Sequence, residues 1–361
     1  MEYFSKFTSN TLAGSGNQLF FTNEIETEIN TGRVFYKIFK GGKYNYSILF
    51  SNIIDSTYSD GEKSHKNIVC DEWVIESAQI GICDVCNVRE MVEVDSFTPL
   101  SFGGHSSKTV MPGEMFSSDP ILLDIKDNQF VCIEISFRGK MIPYHEETLL
   151  PVFIYKDNKW VYDNHLPFAS MIGCDREVKK RIAFFGDSIT QGIGTEQNSY
   201  THWNARLADL LGTDYSYWNL GLGFGRADDA ASDGAWLFKA KQSDVVLICF
   251  GVNDILQGYS QNQIINNLTY TVKKLKEQSI KVIVQTIPPF DYDEGRKNIW
   301  LNVNDYIKNE LSKICDFVFD VVPILCDEEK GIEFAKYGGH PNAYGCKLWA
   351  EGLYRELQGK I

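Results

Sequence analysis

The 361-residue chain has no apolar run approaching the length a helix needs to cross a bilayer, no low-complexity tract and no internal repeat. Its opening residues, Met1-Glu2-Tyr3-Phe4-Ser5-Lys6, lack a basic segment followed by an apolar core, so the expectation is a soluble, cytoplasmic protein that is not exported. Positive charge is in short supply: 35 Lys and Arg stand against 48 Asp and Glu, for a net charge of −13 and a pI near 5.0. Phosphate would repel this surplus of carboxylates, which excludes a nucleic-acid partner and an anionic membrane surface and makes a neutral or cationic substrate easier to accommodate. A dense disulfide framework is also missing. The nine cysteines are an odd count spread from Cys70 to Cys346, the pattern of reduced, mostly buried thiols. Cys83-Asp84-Val85-Cys86 has the spacing of a metal or redox pair, but no second Cys or His pair follows at ligand spacing. It reads as two ordinary thiols on a strand or turn, and no metal or cofactor site is expected.

What is present is enough apolar material, 43% of residues, for two cores in a chain of this length. From Leu19 to about Tyr162 short aromatic and β-branched runs alternate with turns. Val34–Phe39, Tyr44–Phe50 and Trp73–Ala78 are such runs, and Gly41-Gly42, Ser59-Asp60-Gly61, Pro112-Gly113 and Lys126-Asp127-Asn128 are the turns. In Phe130–Phe137 the period is two, placing Val131, Ile133, Ile135 and Phe137 on a buried face and Glu134 and Ser136 on a wet one. This half is expected to be an antiparallel, jelly-roll-like sandwich. Asp163–Lys180 has no periodicity and ends in a charged run, so the domain boundary is placed there, with residues 1–175 as the sandwich and 176–361 as a second domain.

In that second domain strands alternate with helices. Apolar runs at Ile182–Phe185, Tyr215–Leu220, Val245–Phe250, Ile280–Thr286 and Phe317–Val322 are separated by helical stripes, one through Ile264, Ile265, Leu268, Val272 and Leu275 and one through Val303, Ile307, Leu311 and Ile314. The pattern predicts an α/β domain with a parallel sheet between helix layers. Right-handed crossovers put every strand C-terminus on one edge, where open α/β sheets bind ligands. The last helix is predicted to start near Asn342 as N-cap.

Four points fall at that edge: Ser188, the Asn219-Leu220-Gly221 turn, the Gly251-Val252-Asn253-Asp254 turn, and His340 before the last helix. Acyl transfer needs a nucleophile, a base for its proton and donors for the developing oxyanion. Ser188 and His340 are of the residue types for the first two, and the backbone N–H groups of Ser188 and Gly221 with the Asn253 amide for the third. Taken singly, each has a structural alternative, since serines cap helices, glycines make turns and Asn-Asp is turn chemistry.

The blocks Gly186-Asp187-Ser188-Ile189, Gly221, Gly251-Val252-Asn253-Asp254 and His340-Pro341-Asn342, in that order, resemble the four blocks of the SGNH, or GDSL, hydrolases over Arg181 to about Leu357. The resemblance implies a flavodoxin-like three-layer fold and ester hydrolysis or acyl transfer without metal or cofactor. It implies Ser188 and His340 as catalytic residues and Ser188, Gly221 and Asn253 as the oxyanion hole. Thr98–Gly104 through Ser118–Pro120 is similar, more loosely, to the sandwich domain ahead of some esterases of this group. One departure is Tyr337, three residues before His340, where the family usually has an Asp to hold the ring. Some two-domain carbohydrate esterases of the superfamily are similar in working with a Ser-His dyad. Asp327 and Glu333 are candidates for a displaced acid, and surface charge is the expectation for both. His202, in a helical stretch close behind the Ser188 turn, could face the pocket, with the surface as its expected place. Trp203, Phe224, Trp236 and Trp300 are expected in the core, although a ring near the edge could stack on a sugar. The expected substrate is a small acyl ester, an acetylated saccharide; the alternatives are an acyltransferase with the same site and a non-catalytic glycan-binding protein with Ser188 and His340 apart.

Overall fold

A computed structural model describes residues 2–14, 17–20, 28–58, 64–146, 149–163, 166–325, 335–337 and 339–361, with backbone alone at 17–20, 146 and 335–337. The chain forms two compact units, Met1–Glu177 and Val178–Ile361.

The first unit is antiparallel. One sheet runs Thr8–Ser9, Met171–Cys174, Gly42–Ser51 and Met115–Ser117, with Ile121–Ile125 also on Gly42–Ser51. A second runs Lys159–Tyr162, Val152–Lys156, Asn30–Lys37, Phe130–Gly139, Trp73–Cys83 and Phe97–Pro99. Trp73 joins them, its ring against Phe116 (6.4 Å) and Phe137 (6.4 Å) and its Nε1–H donating to Asn52 Oδ1 (3.1 Å). The wet face expected of Phe130–Phe137 is wet in part only. Val131, Ile133, Ile135 and Phe137 are buried as anticipated, but on the other face Phe130 and Cys132 close a second small core with Phe35, Cys83 and Phe153. Cys86, Met91, Val94, Phe97 and Trp160 cover it, so the Cys83/Cys86 pair packs as free thiols. Period-two reading tells which residues share a face, and it is blind to a loop that covers the second face. Glu134 on that face is held by Arg33 Nε (2.6 Å) and Gln79 Nε2 (2.6 Å). Between Thr98 and Pro120, Asp119 fastens the loop by accepting from Ser101 Oγ (2.6 Å), Gly103 N–H (2.9 Å) and Gly104 N–H (2.7 Å).

The second unit is a doubly wound sheet. In chain order its elements are β1 (Lys180–Gly186), α1 (Ser188–Gln191), α2 (Trp203–Leu211), β2 (Tyr215–Asn219), α3 (Ala227–Ala230), α4 (Ala235–Ala240), β3 (Val245–Cys249), α5 (Val252–Leu256), α6 (Gln261–Lys276), β4 (Lys281–Gln285), α7 (Glu294–Asn309), β5 (Phe317–Phe319), α8 (Val322–Leu325) and α9 (Ala343–Leu357). The strands β1 to β5 pair in parallel in the order β2-β1-β3-β4-β5, the flavodoxin-like arrangement. The runs are apolar throughout because both faces are covered. Phe184 packs on one face with Trp203 (5.4 Å) and Tyr217 (6.0 Å), while Phe185 packs on the other with Trp236 (4.8 Å) and Phe250 (4.9 Å). Trp203 of α2 stacks on Trp349 of α9 at 4.9 Å and 6°, tying two helices of the first face together. On α6, Ile264, Leu268, Val272 and Leu275 are buried and Ile265 sits half-buried at the margin. Among the described residues no helix is long and apolar enough to cross a membrane.

Candidate active site

The order β2-β1-β3 reverses direction at β1, and Ser188 follows the C-terminal end of that strand. Such a switch point opens a crevice at the sheet edge. Asp187 caps the single turn of α1, accepting from Ile189 N–H (3.0 Å), and leaves Ser188 as its first residue, half-buried, with its N–H among those that have no partner inside a helix. Burial pushes the Asp187 carboxyl up to about 7, and the nearby Asp254 adds to the rise.

His340 arrives from the opposite end of the unit, 152 residues later. It lies in a short strand, His340–Pro341, whose partner strand holds Tyr337 opposite His340. The next residue but one, Asn342, caps α9 by accepting from Tyr344 N–H (3.0 Å) and Gly345 N–H (3.0 Å). That fixes where the strand must end. His340 is 8% exposed, and its Nε2 lies 2.8 Å from Ser188 Oγ. The edge of the sheet thus joins a hydroxyl to an imidazole, which is what nucleophilic acyl chemistry requires.

The two remaining turns are tied to this pair. Asn253, second residue of α5, donates through Nδ2 to the Gly225 carbonyl (3.0 Å). An amide NH₂ carries two hydrogens, so this bond orients the group and leaves one donor. Gly221 lies against α1, where a Cβ would overlap the Gln191 nitrogen and Thr190 carbonyl carbon. Its N–H donates to Asn219 Oδ1 (2.9 Å), and one hydrogen cannot also serve an oxyanion while that bond holds. Asn219 Nδ2 meanwhile reaches Gln191 O (3.4 Å) and Asn204 Oδ1 (3.3 Å), and Asn204 Nδ2 donates to Thr190 O (2.5 Å). Asn219 therefore fixes the distance between the Gly221 turn and α1. Asp254, beside Asn253, accepts from Ala227 N–H (2.9 Å) and Asp228 N–H (3.3 Å); burial, with Asp229 nearby, raises its carboxyl to about 7.

His202 is buried, at 2% exposure, as the residue that opens α2 directly before the Trp203 anchor; the surface place expected for it is not where it lies. Trp203, Trp236 and Trp300 are in the core, whereas Phe224 is exposed in the Gly221–Gly225 turn with φ +62. Asp327 and Glu333 fall outside the described residues. Sequence reasoning did not single out Asn219 as a holder of its turn or Phe290 beside His340. The ring of Phe290 meets the imidazole at 5.3 Å and 77°. The signal for Phe290 was available, since Pro288-Pro289-Phe290 follows β4 at the same edge as the other turns. Among the described residues no group of His, Cys, Asp or Glu is placed to hold a metal ion.

Residues 184–348, within the C-terminal unit, match the model of the GDSL-like Lipase/Acylhydrolase family. Solved structures similar to the chain include a member of the lipolytic protein G-D-S-L family from Veillonella parvula, with 21% identity over 50% of this chain and 99% of that one and a TM-score of 0.42. A mutant acetyl-xylooligosaccharide esterase from Geobacillus Stearmophilus shares 18% identity over 50% of this chain and 95% of its own, with a TM-score of 0.42. An active-site mutant of a family two carbohydrate esterase from Clostridium thermocellum shares 14% identity, with 98% of each chain covered and a TM-score of 0.42. Among curated proteins nothing matches significantly.

Proposed function

We propose that the protein is a serine esterase that removes small acyl groups, acetyl in the first place, from saccharides, with Ser188 as nucleophile and His340 as its base. The observation that carries the reading is the 2.8 Å contact between Ser188 Oγ and His340 Nε2 at the switch point of the sheet. With the ring proton on Nδ1, Nε2 accepts the hydroxyl proton as Oγ bonds to the ester carbonyl carbon. The tetrahedral oxyanion takes hydrogen bonds from the Ser188 N–H and the second Asn253 amide hydrogen. It takes one from Gly221 only if Asn219 releases that N–H. Collapse breaks the bond to the sugar oxygen, which leaves with the proton from His340. Water then repeats the sequence on the acyl-enzyme and returns free Ser188 and a carboxylic acid.

The contact speaks against a non-catalytic reading, which needs the two side chains apart. A saccharide alcohol suits the exposed Phe224 ring, since a bulky residue at positive φ is costly and persists where its surroundings hold it for use. The acidic balance, net −13, suits an uncharged substrate. The test is acetate release from a panel of acetylated oligosaccharides, run beside a short chromogenic acyl ester. Release from the sugars at a kcat/KM at or above that of the chromogenic ester is expected; cleavage of the chromogenic ester with no sugar deacetylated would remove the saccharide from the account.

A further inference from the structure

Proton transfer from Ser188 needs the imidazole of His340 held in register with it, and the segment after β4 packs against that imidazole. Ile287 is fixed by three hydrogen bonds from one face of α7. Its N–H donates to Asn304 Oδ1 (2.7 Å), and its carbonyl accepts from Asn304 Nδ2 (3.0 Å) and Trp300 Nε1 (2.8 Å). Its side chain fills the space beside Gly251, where a Cβ would collide with it. Three residues on, Phe290 is tied to Tyr292, whose N–H donates to the Phe290 carbonyl (2.8 Å) and whose ring packs on Phe290 (6.2 Å) and Trp300 (6.1 Å). The segment from Ile287 to Tyr292 is thus fastened to α7 at both ends.

Phe290 meets the His340 strand at contact distance. Gly339 has φ +87, and a Cβ there would lie 2.8 Å from Phe290 Cδ2 and 2.9 Å from its Cα, so a side chain at 339 would push the two apart. The Phe290 ring then meets the imidazole edge to face, at 5.3 Å and 77°. On another side stands Gly194, with φ +101, where a Cβ would lie 2.5 Å from the Pro341 carbonyl oxygen and 3.1 Å from His340 Cβ. Two glycines let backbone close on His340, and between them the ring of Phe290 packs on the imidazole.

We propose that Phe290 is a positioning residue for His340, its ring fixing the imidazole plane so that Nε2 stays within reach of Ser188 Oγ. The inference rests on the Ser188–His340 reading above. Phe290 touches the base and takes no proton itself, so its loss acts on the rate of the chemical step and not on substrate affinity. A misplacement of the base by about 1 Å is expected to cost up to about 10²-fold in rate.

The experiment measures kcat and KM on a short chromogenic acyl ester, and the rate at which a fluorophosphonate labels the protein, for wild type, Phe290→Ala, Phe290→Leu, Phe290→Tyr and Ser188→Ala. For Phe290→Ala, kcat and the labelling rate should fall together by about 10- to 100-fold with KM within about two-fold. Phe290→Tyr, which keeps the ring, should stay within a few-fold of wild type, and Phe290→Leu, which keeps bulk without a ring plane, should fall with the alanine variant. The leucine and tyrosine pair decides the matter if the alanine variant does not fold. A raised KM at unchanged kcat would make Phe290 a substrate contact, and equal rates for leucine and phenylalanine would leave only bulk; either overturns the proposal. Should Ser188→Ala abolish labelling while every Phe290 variant labels normally, the positioning role alone fails. Labelling that survives Ser188→Ala removes the site reading, and the proposal with it.

Discussion

Asn253 has one amide hydrogen on the Gly225 carbonyl and one left over, so removing the side chain should act mainly on the transition state. Asn253→Ala should lower kcat by about 10²–10³ with little change in KM. Steady-state kinetics decide it, because a higher KM at constant kcat would assign the amide to ground-state binding. Tyr337 poses the complementary question. If no carboxylate orients His340, Asp327→Asn and Glu333→Gln should each leave kcat within a few-fold. Tyr337→Asp should shift the acidic limb of the kcat/KM profile to higher pH, since a nearby carboxylate favours the charged ring. A folded but inactive Asp327 or Glu333 variant would identify a third catalytic member.

At the scale of elements, the strand ends and helix starts do the positioning, and these were the features most open to reading from sequence. The five apolar runs of the C-terminal unit, the Asn342 cap and the buried stripe of α6 follow from hydrophobic period and capping chemistry. Asn342→Ala should therefore lose about 1 kcal/mol of stability and should reduce kcat as well, because the cap sets the end of the His340 strand. Thermal melts and kinetics on the same variant check both, and a melting shift with unchanged kcat would separate the cap from the site. What periodicity could not carry was tertiary: that Gly221 gives its N–H to Asn219, that His202 is buried, and that a loop covers the second face of the Phe130–Gly139 strand. Each depends on a partner distant in sequence, which local pattern does not encode.

Across the whole molecule, two carboxyls, Asp187 and Asp254, lie buried beneath the sheet edge, both raised to about 7 chiefly by loss of solvent. A carboxyl whose folded pKa lies above its unfolded value contributes stability that is complete below about pH 4 and is lost as pH rises through about 7. Denaturant unfolding at pH 5 and pH 8 should then show a smaller loss with rising pH for Asp187→Asn than for wild type. An identical loss in both would mean that Asp187 is not titrating with folding. The central claim concerns the edge above those carboxyls: acyl transfer through Ser188, driven by His340 at 2.8 Å. Turnover of a short chromogenic acyl ester by Ser188→Ala beside wild type tests it most directly. The side chain is half-buried and the change deletes a single oxygen, so the fold should hold. Turnover should drop by at least about 10⁴-fold, whereas a folded variant that keeps more than about a hundredth of the wild-type rate would contradict the account.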